Sequence, residues 1–221
     1  IAAESEIGVI DRGSRSYTRV CRGADNPRPK DVERLVEIAR SCERGVIACG
    51  PMDAGPELCA ALADLASELG WPILADPTSQ LRSGAHNQGA PVLGNSDLFL
   101  RDERVARYLE PEVVLRFGGT PISKSQRLWL EGHAPEHLIL VDPEAGWNDP
   151  SHLASEFLQV DPLALCNALI GRVSRSTGES PWVQLLLRAE RCTAGVIESL
   201  VADEDELFEP RAIRELAEAL D

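Results

Sequence analysis

Apolar positions along the chain recur with two periods, and the changes from one to the other mark the elements. From Asp31, the residues Val32, Leu35, Val36 and Ala39 fall at helical spacing and predict a surface helix feeding a sheet. Gly45 to Cys49, GVIAC, is a short uninterrupted apolar run and reads as a buried strand. A second helix follows, with Leu58, Ala61, Leu62, Leu65, Ala66 and Leu69 on one face and Gly70 closing it. Pro72 to Ala75 is the next strand, so the first unit is β-α-β with a right-handed crossover expected. Ser96 is expected to cap a helix to about Leu109 that buries Leu98, Val105, Tyr108 and Leu109. A central strand at Val113, a helix from Ser123 to about Glu131, and strands at His137 to Val141 and Ala154 to Val160 complete the alternation. Asp161 and Pro162 then open a helix through Ile170. This pattern predicts a doubly wound α/β fold, with a mostly parallel sheet of five or six strands and helices on both faces.

The alternation divides the chain into three parts. Residues 1–43 read as an irregular linker or arm, rich in Gly, Ser, Arg and Pro, followed by the first helix. Residues 44–172 carry the α/β domain. Residues 173–221 read as a helical connection leading toward a further, C-terminal domain. Its first helix, opened by Ser180 and Pro181, has Trp182, Leu185, Leu186, Ala189, Val196 and Leu200 on one stripe. The acidic run Asp203 to Glu206 interrupts, and a last helix from Glu209 and Pro210 carries Ile213, Leu216, Ala217 and Leu220. Two such stripes need a surface to pack on, either a domain beyond Asp221 or a subunit interface.

The stretch with most chemical promise is Val113 to Lys124, VVLRFGGTPISK, read as a strand, a glycine turn at Gly118 and Gly119, and a helix N-terminus. In an open α/β sheet this turn lies at the carboxyl edge of the strands, where backbone N–H groups and the helix dipole favour an anion. Arg116 interrupts an apolar strand, so its guanidinium needs either a buried acidic partner or a wet cleft. Lys124 falls in the first turn of a helix, where a cation opposes the dipole by roughly 0.3 to 1 kcal/mol unless an anion offsets it. The polar loop from Asp76 to Pro91, with Gln80 and Arg82, leaves a strand end and is expected to hang over the same edge without secondary structure of its own.

Charge and composition narrow the function. The formal net charge of −14 argues against a broad nucleic-acid or anionic-membrane surface. No apolar run approaches the roughly 20 residues that span a bilayer, and the start, IAAESEIG, lacks the basic and apolar regions of a leader, so a cytoplasmic protein is expected. The six cysteines include no C-x-x-C pair and suit reduced, mostly buried thiols. His133 and His137 have the spacing of a helical metal pair, but Pro135 between them makes a metal site an unfavourable reading. Gly50 to Gly55 is neither a phosphate-binding loop nor G-x-G-x-x-G, although Asp76 sits where a dinucleotide fold carries its ribose-binding acid. No nucleophile, base and orienting group stand in a recognisable arrangement. Gln80, Arg82, Arg116 and Lys124 are anion binders more than proton shuttles, so the residues point to a site that holds a carboxylate.

Three runs, WPILADPTSQLRSG, VVLRFGGTPISK and LILVDPEAGWNDP, fall in this order on successive strand ends. Together they resemble the middle domain of the MenD family, thiamine-diphosphate-dependent 2-succinyl-5-enolpyruvyl-6-hydroxy-3-cyclohexene-1-carboxylate synthases of menaquinone biosynthesis. The resemblance covers about Arg44 to Asp161. It implies an enzyme that joins isochorismate to 2-oxoglutarate with loss of CO2, using thiamine diphosphate and Mg2+, and assembling as a dimer or tetramer. Lys124 matches a middle-domain lysine at the active-site mouth, near a substrate carboxylate. Ser125 stands where some members have an arginine. Gln80, Arg82 and Arg116 lie in matched segments and are candidate substrate contacts without a carried-over role. The family's catalytic glutamate and its metal-binding G-D-G motif belong to the flanking domains, so this segment alone is expected to be inactive, with no catalytic residue and no bound cofactor or metal. A regulatory acidic aromatic ligand held by Arg82 and Arg116 is a further expectation. The alternatives are a nucleotide- or dinucleotide-binding module and a structural interaction domain.

Overall fold

The computed structural model describes residues 26–144, 146–173, 180–203 and 208–220. Most of the expected arm, with Cys21, and most of the acidic run from Asp203 lie outside them. The elements are α1 (Pro29–Ser41), β1 (Gly45–Cys49), α2 (Pro56–Leu69), β2 (Ile73–Ala75), β3 (Val92–Leu93), α3 (Ser96–Phe99), α4 (Glu103–Tyr108), β4 (Val113–Phe117), α5 (Lys124–His133), β5 (His137–Val141), β6 (Glu156–Leu158), α6 (Pro162–Leu169), α7 (Pro181–Asp203) and α8 (Glu209–Leu220).

All six strands are parallel, in the order β3-β2-β1-β4-β5-β6. The chain therefore moves outward from β1 in both directions. Crossovers of one hand then put the helices of the two halves on opposite faces. Alternate residues of the central strands obey this. Ile47, Cys49, Leu115, Phe117, Ile139 and Val141 pack with α1, α2 and α6. Val46, Ala48, Val114, Leu138 and Leu140 pack with α3, α4, α5 and the start of α7. The first helix lies on the surface as expected, with Val32, Leu35, Val36, Ile38 and Ala39 buried against the core and Glu33, Arg34, Glu37 and Arg40 exposed. The buried Cys49 and Cys166 thiols are pushed up by desolvation, Cys166 to about 12, and behave as small apolar groups.

Several elements differ from the sequence reading, each for a local reason. The expected single helix from Ser96 is two, because Asp102 starts a new one: its side chain accepts from the N–H groups of Arg104 and Val105. The break rotates the face, so Phe99, Leu100, Ala106 and Leu109 are buried while Leu98 and Tyr108 are exposed. Ser96 does not cap; the N-cap is Asn95, whose own amide donates to the Glu190 carboxylate of α7. The two-residue strand β3 gives too short a period to recognise, and a single 3-10 turn, Ala85–Asn87, lies within the loop read as structureless. The last strand is only Glu156–Leu158. In α5 the buried side chains are Gln126, Trp129 and Leu130, with Leu128 exposed. Val196 and Leu200 of α7 and Ile213 and Leu216 of α8 are exposed, while Val201 near the end of α7 is buried.

Gly45 shows how tightly the sheet edge is filled. A Cβ there would lie 2.0 Å from the Trp71 ring, and the Gly45 carbonyl accepts from the Trp182 indole N–H at 2.8 Å. Gly45→Ala is expected to destabilise the fold by about 3 kcal/mol, because both indoles are buried and neither can retreat. Chemical denaturation would measure the loss, and an unchanged midpoint would refute it.

Candidate functional site

β1 and β4 are neighbours whose connections leave in opposite directions, so the crevice at their carboxyl ends is the switch point where open α/β sheets commonly bind ligands. Here the chain's own turns occupy it. The Gly50 N–H donates to the Phe117 carbonyl at 2.9 Å, and the Gly119 N–H donates to the Pro51 carbonyl at 2.8 Å. A Cβ on Gly50 would fall 1.9 Å from the Gly119 oxygen. Gly118 has φ +74 and a Cβ there would lie 2.7 Å from the Pro51 oxygen. The glycines serve the packing of one turn on another.

Asp76, in the ribose-acid position, is also committed to the chain. Its Oδ1 accepts from the N–H and hydroxyl of Thr78 at 3.0 and 2.6 Å, and its Oδ2 accepts from the Ile122 N–H at 2.7 Å. The buried carboxylate thereby ties the loop after β2 to the segment leading into α5. A third tie comes from Asn148, whose carbonyl accepts from Thr120 Oγ1 at 3.0 Å and from Arg116 Nη2. Segment 118–123 is thus held by the loops after β1, β2 and β5.

That segment delivers the N-terminus of α5. Ser123 caps the helix, accepting from the Gln126 N–H at 3.1 Å, and donates its hydroxyl proton to Asp97 Oδ1 at 2.6 Å. Asp97 Oδ2 accepts from Arg101 Nη2 at 2.8 Å. The Ser123 hydrogen bond, then Arg101 and Ser125, hold the Asp97 carboxyl below its ordinary range. The anion anticipated beside Lys124 is therefore, in part, supplied by the chain.

Beside this helix end opens a cleft of about 1000 Å3. Its apolar lining is buried Leu100, Ala106 and Trp129 with exposed Ile122 and Leu128, and it also carries Arg82, Arg101, Arg107 and Lys124 against Asp97 and Glu103. Arg107 lies 3.6 Å from Glu103, and Arg101 is paired with Asp97. Lys124 is exposed, and Arg82 anchors its Nε on the Ala75 carbonyl at 2.9 Å. The geometry suits a ring or short chain bearing carboxylate: apolar surface together with guanidinium and ammonium groups in one cleft.

Of the four residues singled out by sequence, Lys124 and Arg82 line this cleft, and Gln80 and Arg116 do not. Gln80 is exposed with φ +63, and its carbonyl faces the Cys59 thiol. Arg116 is buried on the α5 face of the sheet, at the strand end. Desolvation pulls its pKa down, the nearby Asp149 charge opposes that, and its Nε–H has no hydrogen-bond acceptor among the described residues. Asp149 itself accepts from Ser151 Oγ and the Ala154 N–H. The buried acidic neighbour foreseen for Arg116 is present, but the direct contact is with the Asn148 carbonyl. A shared ligand for Arg82 and Arg116 is not what the cleft offers. Asp97, Arg101, Arg107 and Trp129 were not anticipated; Asp97 would have been read as capping its own helix, whereas it reaches across to α5.

Two comparisons bear on identity. The family described as "Middle domain of thiamine pyrophosphate" matches residues 15–221. The chain belongs to the thiamine pyrophosphate enzyme middle-domain family. Within that family it is similar to proteins named 2-succinyl-5-enolpyruvyl-6-hydroxy-3-cyclohexene-1-carboxylate synthase. It is 39% identical over 209 residues to that of Geobacillus kaustophilus, covering 93% of this chain and 36% of the relative. The Chloroflexus aurantiacus protein is 41% identical over 169 residues, 76% of this chain and 28% of the relative. The Myxococcus xanthus protein is 33% identical over 221 residues, 98% of this chain and 36% of the relative. The chain spans about a third of the length of these relatives. The six-stranded parallel sheet agrees with a middle domain of this family.

Among the described residues no group of three or more His, Cys, Asp or Glu is placed to hold a metal ion, and no helix is long and apolar enough to cross a membrane. His133 closes α5, bonded to the Trp129 carbonyl at 2.8 Å, while His137 opens β5. With the glycine turns packed on each other, these residues form no cradle for a metal-bound diphosphate.

Proposed function

We propose that this chain is the middle part of an enzyme that joins isochorismate and 2-oxoglutarate with loss of CO2, and that its own task is to receive a substrate carboxylate. The observation that carries this reading is the cleft shared by Lys124 and Arg82 at the carboxyl edge, in a chain similar over most of its length to synthases of that name. Thiamine diphosphate and Mg2+, held by other parts of the whole enzyme, would supply the carbanion chemistry of the decarboxylated 2-oxoglutarate. Lys124, on the first turn of α5, meets a carboxylate as a mobile point charge, and Arg82 offers a planar fork fixed by its bond to Ala75. Leu100 and Trp129 offer the ring a buried apolar surface that excludes water from one face, which strengthens both contacts. Arg116 then acts by holding the loop after β5 in place. The segment by itself is inactive, and the whole enzyme works as a homo-oligomer in the cytoplasm.

A nucleotide-binding module loses ground on two points. The switch-point crevice is filled by Gly50, Pro51 and Gly119, and both oxygens of Asp76 are engaged.

The reading is tested in the full-length enzyme by following consumption of both substrates with thiamine diphosphate and Mg2+. Lys124→Ala is expected to lower kcat/KM at least tenfold, about 1.4 kcal/mol of transition-state stabilisation. Normal kinetics in the variant would return Lys124 to an ordinary surface lysine. Absence of turnover in the intact enzyme under saturating cofactor would overturn the synthase assignment itself.

A further inference from the structure

The cleft contains an oddity that a carboxylate-binding role does not need. A carboxylate already stands at the anion-favouring end of α5, within the same cleft as the cations. Asp97 belongs to a four-residue helix of its own, yet its Oδ1 is turned to Ser123 at 2.6 Å and its Oδ2 to Arg101 at 2.8 Å. Both it and Arg101 line the cleft, and the Asp97 side chain keeps about a third of its surface exposed, so it is held without being locked in. Arg101 is exposed too. With Arg107 near Glu103 and Arg101 on Asp97, the cleft presents Lys124 and Arg82 to a newcomer and keeps its other two cations engaged.

We infer that Asp97 is a resident anion that sets the affinity and charge selectivity of the cleft, and that a ligand carboxylate binds by displacing it and taking over Arg101 and the Ser123 hydroxyl. The inference rests on the reading of the cleft as a carboxylate site.

The exchange conserves hydrogen bonds. Asp97 turns to water, where its charge is fully solvated, and the incoming carboxylate accepts from the same donors. Binding is therefore isoelectric at the helix end, which keeps the net gain small and makes the site reject weakly apolar or singly contacting anions. A ligand has to bring a second contact, to Lys124 or Arg82, or a ring for the apolar lining, before exchange is favourable. Selectivity thus comes from competition within the cleft as well as from attraction. Removing the resident charge also removes the repulsion between two carboxylates a few ångström apart.

The discriminating variant is Asp97→Asn. Its side-chain oxygen can still accept from Ser123, so the cap of α5 survives, while the charge that competes with ligand is gone. The probe is isophthalate, a stable ring with two carboxylates, titrated into the 221-residue chain and followed by the amide NMR shifts of Ser125 and Gln126. Resorcinol serves as its neutral counterpart. Asp97→Asn is expected to tighten isophthalate about tenfold and leave resorcinol unchanged, and the gain is expected to shrink to about twofold or less in an Arg101→Gln background. A merely structural Asp97 predicts the opposite sign, weaker or unchanged isophthalate binding, and that result overturns the inference. So does a tenfold gain that persists in Arg101→Gln, since Arg101 would then not be exchanged, and so does absence of binding in both chains. The two readings fail separately. Lys124→Ala losing activity while Asp97→Asn gains no affinity sinks only the resident-anion inference. A gain in Asp97→Asn with normal Lys124→Ala kinetics sinks only the substrate-carboxylate role of Lys124.

Discussion

Replacing Asp76 with alanine is expected to lower the unfolding free energy by about 3 kcal/mol, measured as a fall in denaturant midpoint at constant slope. The carboxylate is almost fully buried, and three donors converge on it: the N–H and hydroxyl of Thr78 and the N–H of Ile122. Alanine leaves these donors facing a void, and each unsatisfied buried donor costs about 1 to 3 kcal/mol, softened where water can enter. Thr78 is exposed, so its two groups recover partners from solvent, and the cost concentrates on Ile122 N–H and the cavity. Asp76→Asn is expected to lose less, about half as much, because one oxygen remains to serve one loop while the amide meets a donor at the other. If alanine and asparagine are equally mild, the tie between the loop after β2 and the segment before α5 has little strength. The consequence reaches function, because that segment is what carries Ser123 and Lys124 to the cleft.

The central sheet was legible because its signals are local. Val113 to Phe117, apolar but for Arg116, and His137 to Val141, apolar after its histidine, are short β-type runs, each with a turn or cap nearby, and they became β4 and β5. Asp161 and Ser123 were legible for the same reason: each side chain caps the helix that begins next to it in sequence. What failed was whatever depends on distant partners. Ser96 looked like a cap, yet the end of α3 is met by Glu190, some 95 residues away. Tyr108 and Leu98 matched a helical period that a single capping Asp102 reset.

The candidate site divides the same way. Arg82 was legible as a cation on a loop leaving a strand end and Lys124 as one in the first turn of the helix after β4, placements that follow from the alternation of strands and helices. Arg116 shared that logic but faces a different loop, because its strand position puts it on the α5 face above Val114, where Asn148 meets it. No spacing rule could tell Arg82 and Arg116 apart, since the difference lies in how the segment after β5 folds back. Asp97 was hidden for a related reason: it serves a helix N-terminus 26 residues further along the chain.

The largest effect is expected at Gly50. A Cβ there would sit 1.9 Å from the Gly119 oxygen, and that atom is backbone, so no rotamer change can relieve the overlap. Gly119 cannot retreat cheaply either: its N–H is bonded to the Pro51 carbonyl, and Gly118 beside it holds φ +74 with Pro51 and Met52 pressed against it. Gly50→Ala is therefore expected to cost about 4 kcal/mol or to prevent folding at ordinary temperature, beyond the range of routine overpacking because two main chains must separate. Gly132→Ala provides the internal standard. Gly132 lies in the last turn of α5 with no atom of the described residues within 4 Å of its added Cβ, so alanine there is expected to stabilise by about 0.5 to 1 kcal/mol. Thermal unfolding of the two variants should move in opposite directions from the parent chain. Equal shifts would mean that the turns after β1 and β4 do not clasp one another. In that case the crevice between them is open to a ligand after all, and a nucleotide phosphate regains its place as a candidate occupant of the switch point.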